Sequence, residues 1–175
     1  MRLTRAKLSL ILLSIGLLYS ASSVGGDYKV EVVIFKPVNA DPPRESLKYQ
    51  AIPPAVSASE TWYIEPELLV EEVNTLRESP DYEVLHHLSW AQESLPYEAS
   101  AAMSFHQDEL IGWVKIYAKT LLFAHLNLDI GGYRIQEKRR LKLNEKHYFD
   151  HPRYGVLLQV SRLEYEQDND VSLDQ

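Results

Sequence analysis

From Leu110 onward the chain reads as one strand after another, with nothing helical between them. The runs "LIGWVKIYA" and "TLLFAHLNLDI" are rich in β-formers and separate near Lys119, the pattern of a hairpin. "GGYRIQEKRRLKL" then supplies a Gly-Gly turn and an alternating run through Tyr133, Ile135, Glu137, Arg139 and Leu141. "GVLLQVSRLEY", Gly155 to Tyr165, is the last strand. Strands joined by short turns pair antiparallel, because a parallel pair needs a crossover of a dozen or more residues.

The first half adds one helix to this framework. "DYKVEVVIFKP" sets Tyr28, Val30, Val32 and Ile34 on one strand face against Lys29, Glu31, Val33 and Phe35 on the other. Val38 to Thr61 contains two Pro-Pro pairs and no sustained period, and reads as a long loop. "EPELLVEEVNTLRESP" places Pro66 in a first helical turn and Leu69, Val73 and Leu76 at helical spacing, with Pro80 ending the helix. "DYEVLHHLSW" is a second strand, with Tyr82, Val84, His86, Leu88 and Trp90 on one face and Leu85 and His87 on the other. A short extended piece around Ala101, Met103 and Phe105 follows. The expected fold class is α+β: a single domain over 27–165 built on a mainly antiparallel β-sheet with one main helix packed on it. Residues 166–175 form a polar, acidic tail of disordered composition.

The N-terminus narrows the setting. Arg2, Arg5 and Lys7 precede an uncharged apolar run from Leu8 to Leu18 and then small residues, the layout of a secretory signal peptide over residues 1–22, with cleavage after Ser22 or as late as Gly26. The apolar run is about half the ~20 residues that span a bilayer, so a cleaved leader is expected instead of a stable membrane anchor. The chain has no cysteine, hence neither a disulfide nor a lipidated Cys, and an exported domain of this kind must rest on its core. Loss of the leader's three cations takes the formal charge from −7 to −10. An acidic protein is a poor general partner for nucleic acid, whose phosphates reward a basic face.

No catalytic constellation stands out. There is no Gly-x-Ser-x-Gly elbow, no His-Glu-x-x-His helix and no phosphate-binding glycine loop. His125, Asn127 and Asp129 share a strand face and could offer N and O ligands, but no third strong ligand accompanies them, and a solvated face is the simpler reading; no metal and no cofactor is expected. His86 and His87 point to opposite faces and cannot chelate together. The basic run "EKRRLKLNEKHY" is the main departure from the acidic balance. As a strand it presents Lys138, Arg140 and Lys142 on one face, with Arg139 and Leu141 on the other. That row is either a charge-protected sheet edge or a patch for carboxylates. The next stretch, "HYFDHPRYGVLLQV", reads as a shaped turn before a buried strand, with Asp150 and Pro152 as turn formers. His147, Tyr148, His151 and Arg153 are the candidate ligand contacts there.

Taken together, "VEVVIF", "YEVLHHLSW", "LNLDI" and "EKRRLKLNEKHYFDHPRYGVLLQV" resemble the CsiV family of periplasmic proteins of gammaproteobacteria. The resemblance runs from about Tyr28 to Val160. It implies a non-catalytic, periplasmic protein that binds peptidoglycan and supports cell-wall synthesis and cell shape. The implied partners are a class A penicillin-binding protein and its outer-membrane lipoprotein activator. The competing expectation is a wall-modifying or metal-dependent periplasmic enzyme.

Overall fold

The computed structural model describes residues 27–39, 61–107 and 109–164. The expected leader, nearly all of the Pro-rich loop and the acidic tail lie outside the described residues. Among the described residues the strands are β1 (Tyr28–Pro37), β2 (Thr61–Tyr63), β3 (Tyr82–Gln92), β4 (Ala102–Gln107), β5 (Leu110–Ala118), β6 (Leu122–Ile130), β7 (Tyr133–Arg140), β8 (Lys146–His151) and β9 (Tyr154–Arg162), with one helix, α1 (Val70–Glu78). They form a five-stranded sheet in the order β2-β3-β1-β9-β8 and a four-stranded meander, β4-β5-β6-β7. Every pairing is antiparallel. The chain is therefore more β than expected: two sheets share the core and the helix is a short one.

The alternation in β1 decides how the layers stack. Tyr28, Val30, Val32 and Ile34 are buried against residues of the meander such as Val114, Ile116, Leu126 and Leu128. On the reverse face, Val33 and Phe35 pack with Leu69 and Val73 under the helix. Burying a side chain of this size contributes about 1.5–3 kcal/mol, so one strand anchors both cores.

The face assignment expected for β3 holds only in its second half. Pairing with β1 slips between Ile34 and Phe35, where Ile34 is opposite His86 but Phe35 is opposite Val84. The extra residue, Leu85, is a bulge, and beyond it the inward and outward positions exchange. Val84 thus joins the helix-side cluster and Leu85 the core between the sheets.

The helix begins later than Pro66 predicts, because the chain ahead of it serves another purpose. Glu31 projects from the helix-side face of β1 and is fully buried. Its carboxylate accepts the backbone N–H groups of Glu67 and Leu68 at 2.8 and 2.7 Å and that of Leu69 at 3.0 Å. Leu69 is the N-cap and offers no side-chain cap of its own, so a carboxylate from another element fills that role. His87 of β3 lies 2.7 Å from the same carboxylate through Nε2. Burial pushes the Glu31 pKa up, but His87 and the three amides outweigh it and hold the carboxyl below its ordinary value.

Glycines make two close approaches possible. Gly112 in β5 has φ +134°, and a Cβ there would lie 2.0 Å from the Asn127 carbonyl oxygen on β6. Gly131 and Gly132, with φ 58° and 91°, form the two-residue turn between Ile130 and Tyr133 that the sequence announces.

"HYFDH" is a strand, and the turn expected over the whole run is confined to its end. Lys146–His151 pairs along β9, and the turn proper is Pro152–Arg153, between the partners His151 and Tyr154. The reason is alternation: Phe149 is buried in the core while Tyr148 and Asp150 face out. Asp150 accepts the Tyr148 hydroxyl at 2.8 Å instead of a turn amide, and it is His151 Nδ1 that accepts Arg153 N–H, at 3.1 Å. Across the core, Tyr154 of β9 donates to the Leu128 carbonyl at 2.9 Å and accepts the Ile135 N–H at 3.0 Å, tying one sheet to the other.

Two consequences are measurable. Glu31→Gln should lower unfolding free energy by on the order of 3 kcal/mol, since it removes the charge from a buried, fully engaged site. Because the folded pKa of Glu31 lies below its ordinary 4.5, its contribution is complete above that value and is lost as pH falls through the lower folded pKa. Denaturant titrations from pH 6 down to pH 3 should show this acid loss in the wild type and a shallower one in the variant. Secondly, Asp150→Ala should change stability by no more than about 0.5 kcal/mol, as expected for an exposed site. Tyr154→Phe should cost about 2 kcal/mol by stranding two buried backbone groups. Thermal melts of the two variants side by side check the order.

Candidate functional site

The meander has an inner face in the core and an outer face turned away from it. On the outer face, cross-strand register places Trp113, Lys115 and Tyr117 of β5 opposite Asn127, His125 and Phe123 of β6. On β7, Lys138 is opposite His125 and Arg140 opposite Phe123. A solvated polar face was expected for His125, Asn127 and Asp129. Instead Trp113, Lys115, Tyr117, Asn127 and Asp129 are all buried.

The cover is the segment between β3 and β4. It is fixed to the sheet where Ala118 N–H donates to the Leu95 carbonyl at 2.9 Å, and it turns back on itself through Ala99 and Ser100 N–H groups donating to the Pro96 carbonyl at 3.0 and 2.9 Å. This lays Tyr97 over the strands. Its ring stands edge-on to Tyr117 at 4.9 Å and parallels His125 at 6.1 Å. The Lys115 ammonium lies 4.4 Å from the Tyr97 ring centroid, a cation–π contact in a water-poor setting. Burial pushes the Lys115 pKa down, with Glu98 opposing it. The His125 pKa is also lowered, first by burial and then by Lys138 and Lys115, so this histidine is neutral at pH 7.

Beside Tyr97 the surface opens into a cleft of about 400 Å³, walled by Tyr97, Tyr117 and Phe123 and rimmed by Glu98, Lys119 and Thr120. Tyr117 and Phe123 lie 5.5 Å apart and nearly parallel. The Lys138 ammonium stands over the group, 5.3 Å from the Tyr117 ring, 5.6 Å from Tyr97 and 5.9 Å from Phe123.

The seven candidate residues do not form one site. Lys138 and Arg140 share the outer face of β7 as expected, but Lys142 does not join them. The strand ends at Arg140, Leu141 turns into the core, and Lys142 sits in the β7–β8 turn with its ammonium 3.0 Å from Glu145. The turn contains Asn144 at φ 61°. His147 closes the same turn, its Nε2 3.2 Å from Lys142 N. Tyr148 is on the outer face of the other sheet, stacked 6.1 Å from Phe35, and its pKa is pushed up to about 12 by burial and by Asp150. This stack needs Gly155 beneath it, since a Cβ there would meet Tyr148 at 2.6 Å and Phe35 at 2.8 Å. His151 and Arg153 are at the β8–β9 turn, where Arg153 covers the Tyr133 ring at 5.0 Å.

Tyr97, Lys115, Tyr117, Phe123 and His125 are the members that single-strand reading misses. Tyr97 belongs to an aperiodic segment, and the others become neighbours only once β5 and β6 are in register. The candidate metal ligands on β6 are engaged elsewhere: Asn127 Oδ1 accepts from Arg134 Nε at 2.7 Å, and Asp129 Oδ1 accepts Gly132 N–H at 2.8 Å. Among the described residues no three His, Asp or Glu side chains gather as a metal site.

Comparison with curated proteins and with solved structures returned no match. A family model does match, over residues 118–163, which contain the whole of β6, β7, β8 and β9. Its description is "Peptidoglycan-binding protein, CsiV", so the family that the basic run and its flanking strands resemble is the one the chain matches across its last four strands.

Proposed function

We propose that this protein is an exported, non-catalytic peptidoglycan-binding protein that supports cell-wall synthesis and cell shape in the periplasm. The observation that carries the reading is the family match over residues 118–163, whose description names peptidoglycan as the ligand. That segment also contains the cleft residues Lys119, Thr120 and Phe123 and, next to the cleft, His125, Lys138 and Arg140. Export rests on the basic, apolar and small-residue order of the first 22 residues. The action is binding and not turnover, in keeping with the family's description as a binding protein. Within this reading the protein works beside a class A penicillin-binding protein and its outer-membrane lipoprotein activator, the partners the family resemblance implies.

The local charge suits an anionic polymer although the chain as a whole is acidic. In the basic run, Arg139 is paired with Glu137 at 2.8 Å, Lys142 with Glu145, and Lys146 with Glu72. Lys138 and Arg140, both exposed, form no ion pair among the described residues. They leave positive charge on the outer face of the meander, where carboxylates of the stem peptides can meet it.

The mature protein incubated with purified sacculi should sediment with them and release no soluble muropeptides. Binding should weaken as salt rises from low to physiological strength, because exposed charges are screened within about 8 Å at the higher value. Protein that stays in the supernatant at low salt overturns the binding reading. Soluble fragments appearing in step with added protein would instead identify a wall-cleaving enzyme.

A further inference from the structure

We infer that the cleft between Tyr97 and the β5–β6 hairpin binds a sugar ring that carries a carboxylate-bearing substituent, which in peptidoglycan is a muramyl residue with its stem peptide. This rests on the peptidoglycan-binding reading and adds the place and the chemical element recognised.

Four observations converge there. The first is shape: Tyr97 stands at 83° to Tyr117, while Tyr117 and Phe123 are within 13° of parallel, so flat apolar surfaces meet at a corner. A pyranose has C–H-rich faces and a polar rim, and the rim of this cleft offers Glu98, Lys119 and Thr120. Its volume of about 400 Å³ falls within the ~300–1,000 Å³ of ordinary ligand sites.

The second is charge. The Lys138 ammonium is close to all three rings, and the residue is exposed. It forms no ion pair among the described residues, and Arg140 stands beside it opposite Phe123. An anion arriving over the rings would meet both cations.

The third is a polar contact at the cleft wall. Tyr117 is 7% exposed, and its buried hydroxyl has the Lys138 ammonium as its neighbour, an interaction that raises the Lys138 pKa. An acceptor entering the cleft would meet both groups at once. The fourth is rigidity. Lys115 under the ring and His125 Nδ1, 3.4 Å from the Tyr97 hydroxyl, hold Tyr97 in place before any ligand arrives.

The competing account is that the Lys138 stem merely shields three aromatic rings from water. Lys138→Met separates the two, since it keeps the stem and removes the charge. The probes are a monomeric muropeptide (disaccharide with tetrapeptide), uncharged chitotriose and the free tetrapeptide, each titrated into the mature protein and followed by amide chemical shifts. The muropeptide should bind tightest and shift residues around Tyr97, Tyr117 and Phe123. Phe123→Ala and Lys138→Met should each weaken it by about tenfold or more, and only Lys138→Met should flatten its salt dependence. Lys142→Met, in the paired β7–β8 turn, should bind like wild type.

Muropeptide binding unchanged in Lys138→Met overturns the inference, and Lys138→Met is the variant least able to disturb the fold. Free tetrapeptide binding as well as the muropeptide removes the sugar from it. If these variants still sediment with sacculi like wild type, the wall-binding reading stands and the cleft is not its site. If wild type binds muropeptide in the cleft but not sacculi, the cleft stands and the polymer reading falls.

Discussion

A single buried carboxylate settles how the layers of this protein are joined. Glu31 sits on the central strand of the five-stranded sheet, and its two oxygens take three amides from the chain ahead of α1 and one imidazole from β3. A charged group removed from water is tolerable only when its lone pairs are occupied, and here the bonds come from two separate places, the chain ahead of α1 and strand β3. The position of α1 is therefore set by electrostatics at its N-terminal end and by Leu69 and Val73 along its apolar stripe. The Val33 and Phe35 side chains could accept a helix in many orientations. The carboxylate allows one.

The two sheets are held in a comparable way. Tyr154 and Gln92 cross the interface with directed bonds, Gln92 accepting from Trp90 Nε1 and donating to the Ile116 carbonyl, both at 2.9 Å. Apolar packing between sheets is permissive about sliding, since many side-chain arrangements bury similar area. Directed bonds to backbone carbonyls are not permissive. They fix which residues of β5 and β6 lie at a given height, and so which aromatic rings come together on the meander's outer face.

Local pattern was a sound guide wherever one strand or one turn contained its own information. The two faces of β1, the Gly-Gly hairpin and the extended piece carrying Met103 and Phe105 all follow from period-two alternation and turn chemistry. It failed where a distant residue overrode a local preference. Pro66 signals a helix start, but Glu31 claims the following amides; Asp150 signals a turn, but burial of Phe149 keeps it in a strand and the turn forms at Pro152–Arg153. The bulge at Leu85 is invisible in "YEVLHHLSW" because nothing in that run distinguishes a slipped register from a straight one. The cleft is harder still to foresee, because Tyr97, Tyr117, Phe123 and Lys138 lie on four separate segments and share no spacing. Of the candidates read from sequence, only Lys138 falls among them.

The placement of β1 has a kinetic side. This strand appears first among those described, yet it lies at the middle of its sheet, between β3 and β9, the last strand. Tyr28 is opposite Arg162 in that pairing, so one of the most sequence-distant contacts of the chain is also a central one. The meander and the β8–β9 hairpin are local and close on the microsecond scale, whereas β1 stays half-paired until the far end of the chain reaches it. Until then its edge is a row of open amides and carbonyls flanked by valines, a template for pairing with another chain. A protein built this way gains from having its C-terminal strands available before β1 is left exposed to neighbours, and any truncation that removes β9 uncovers the centre of the sheet, not its margin.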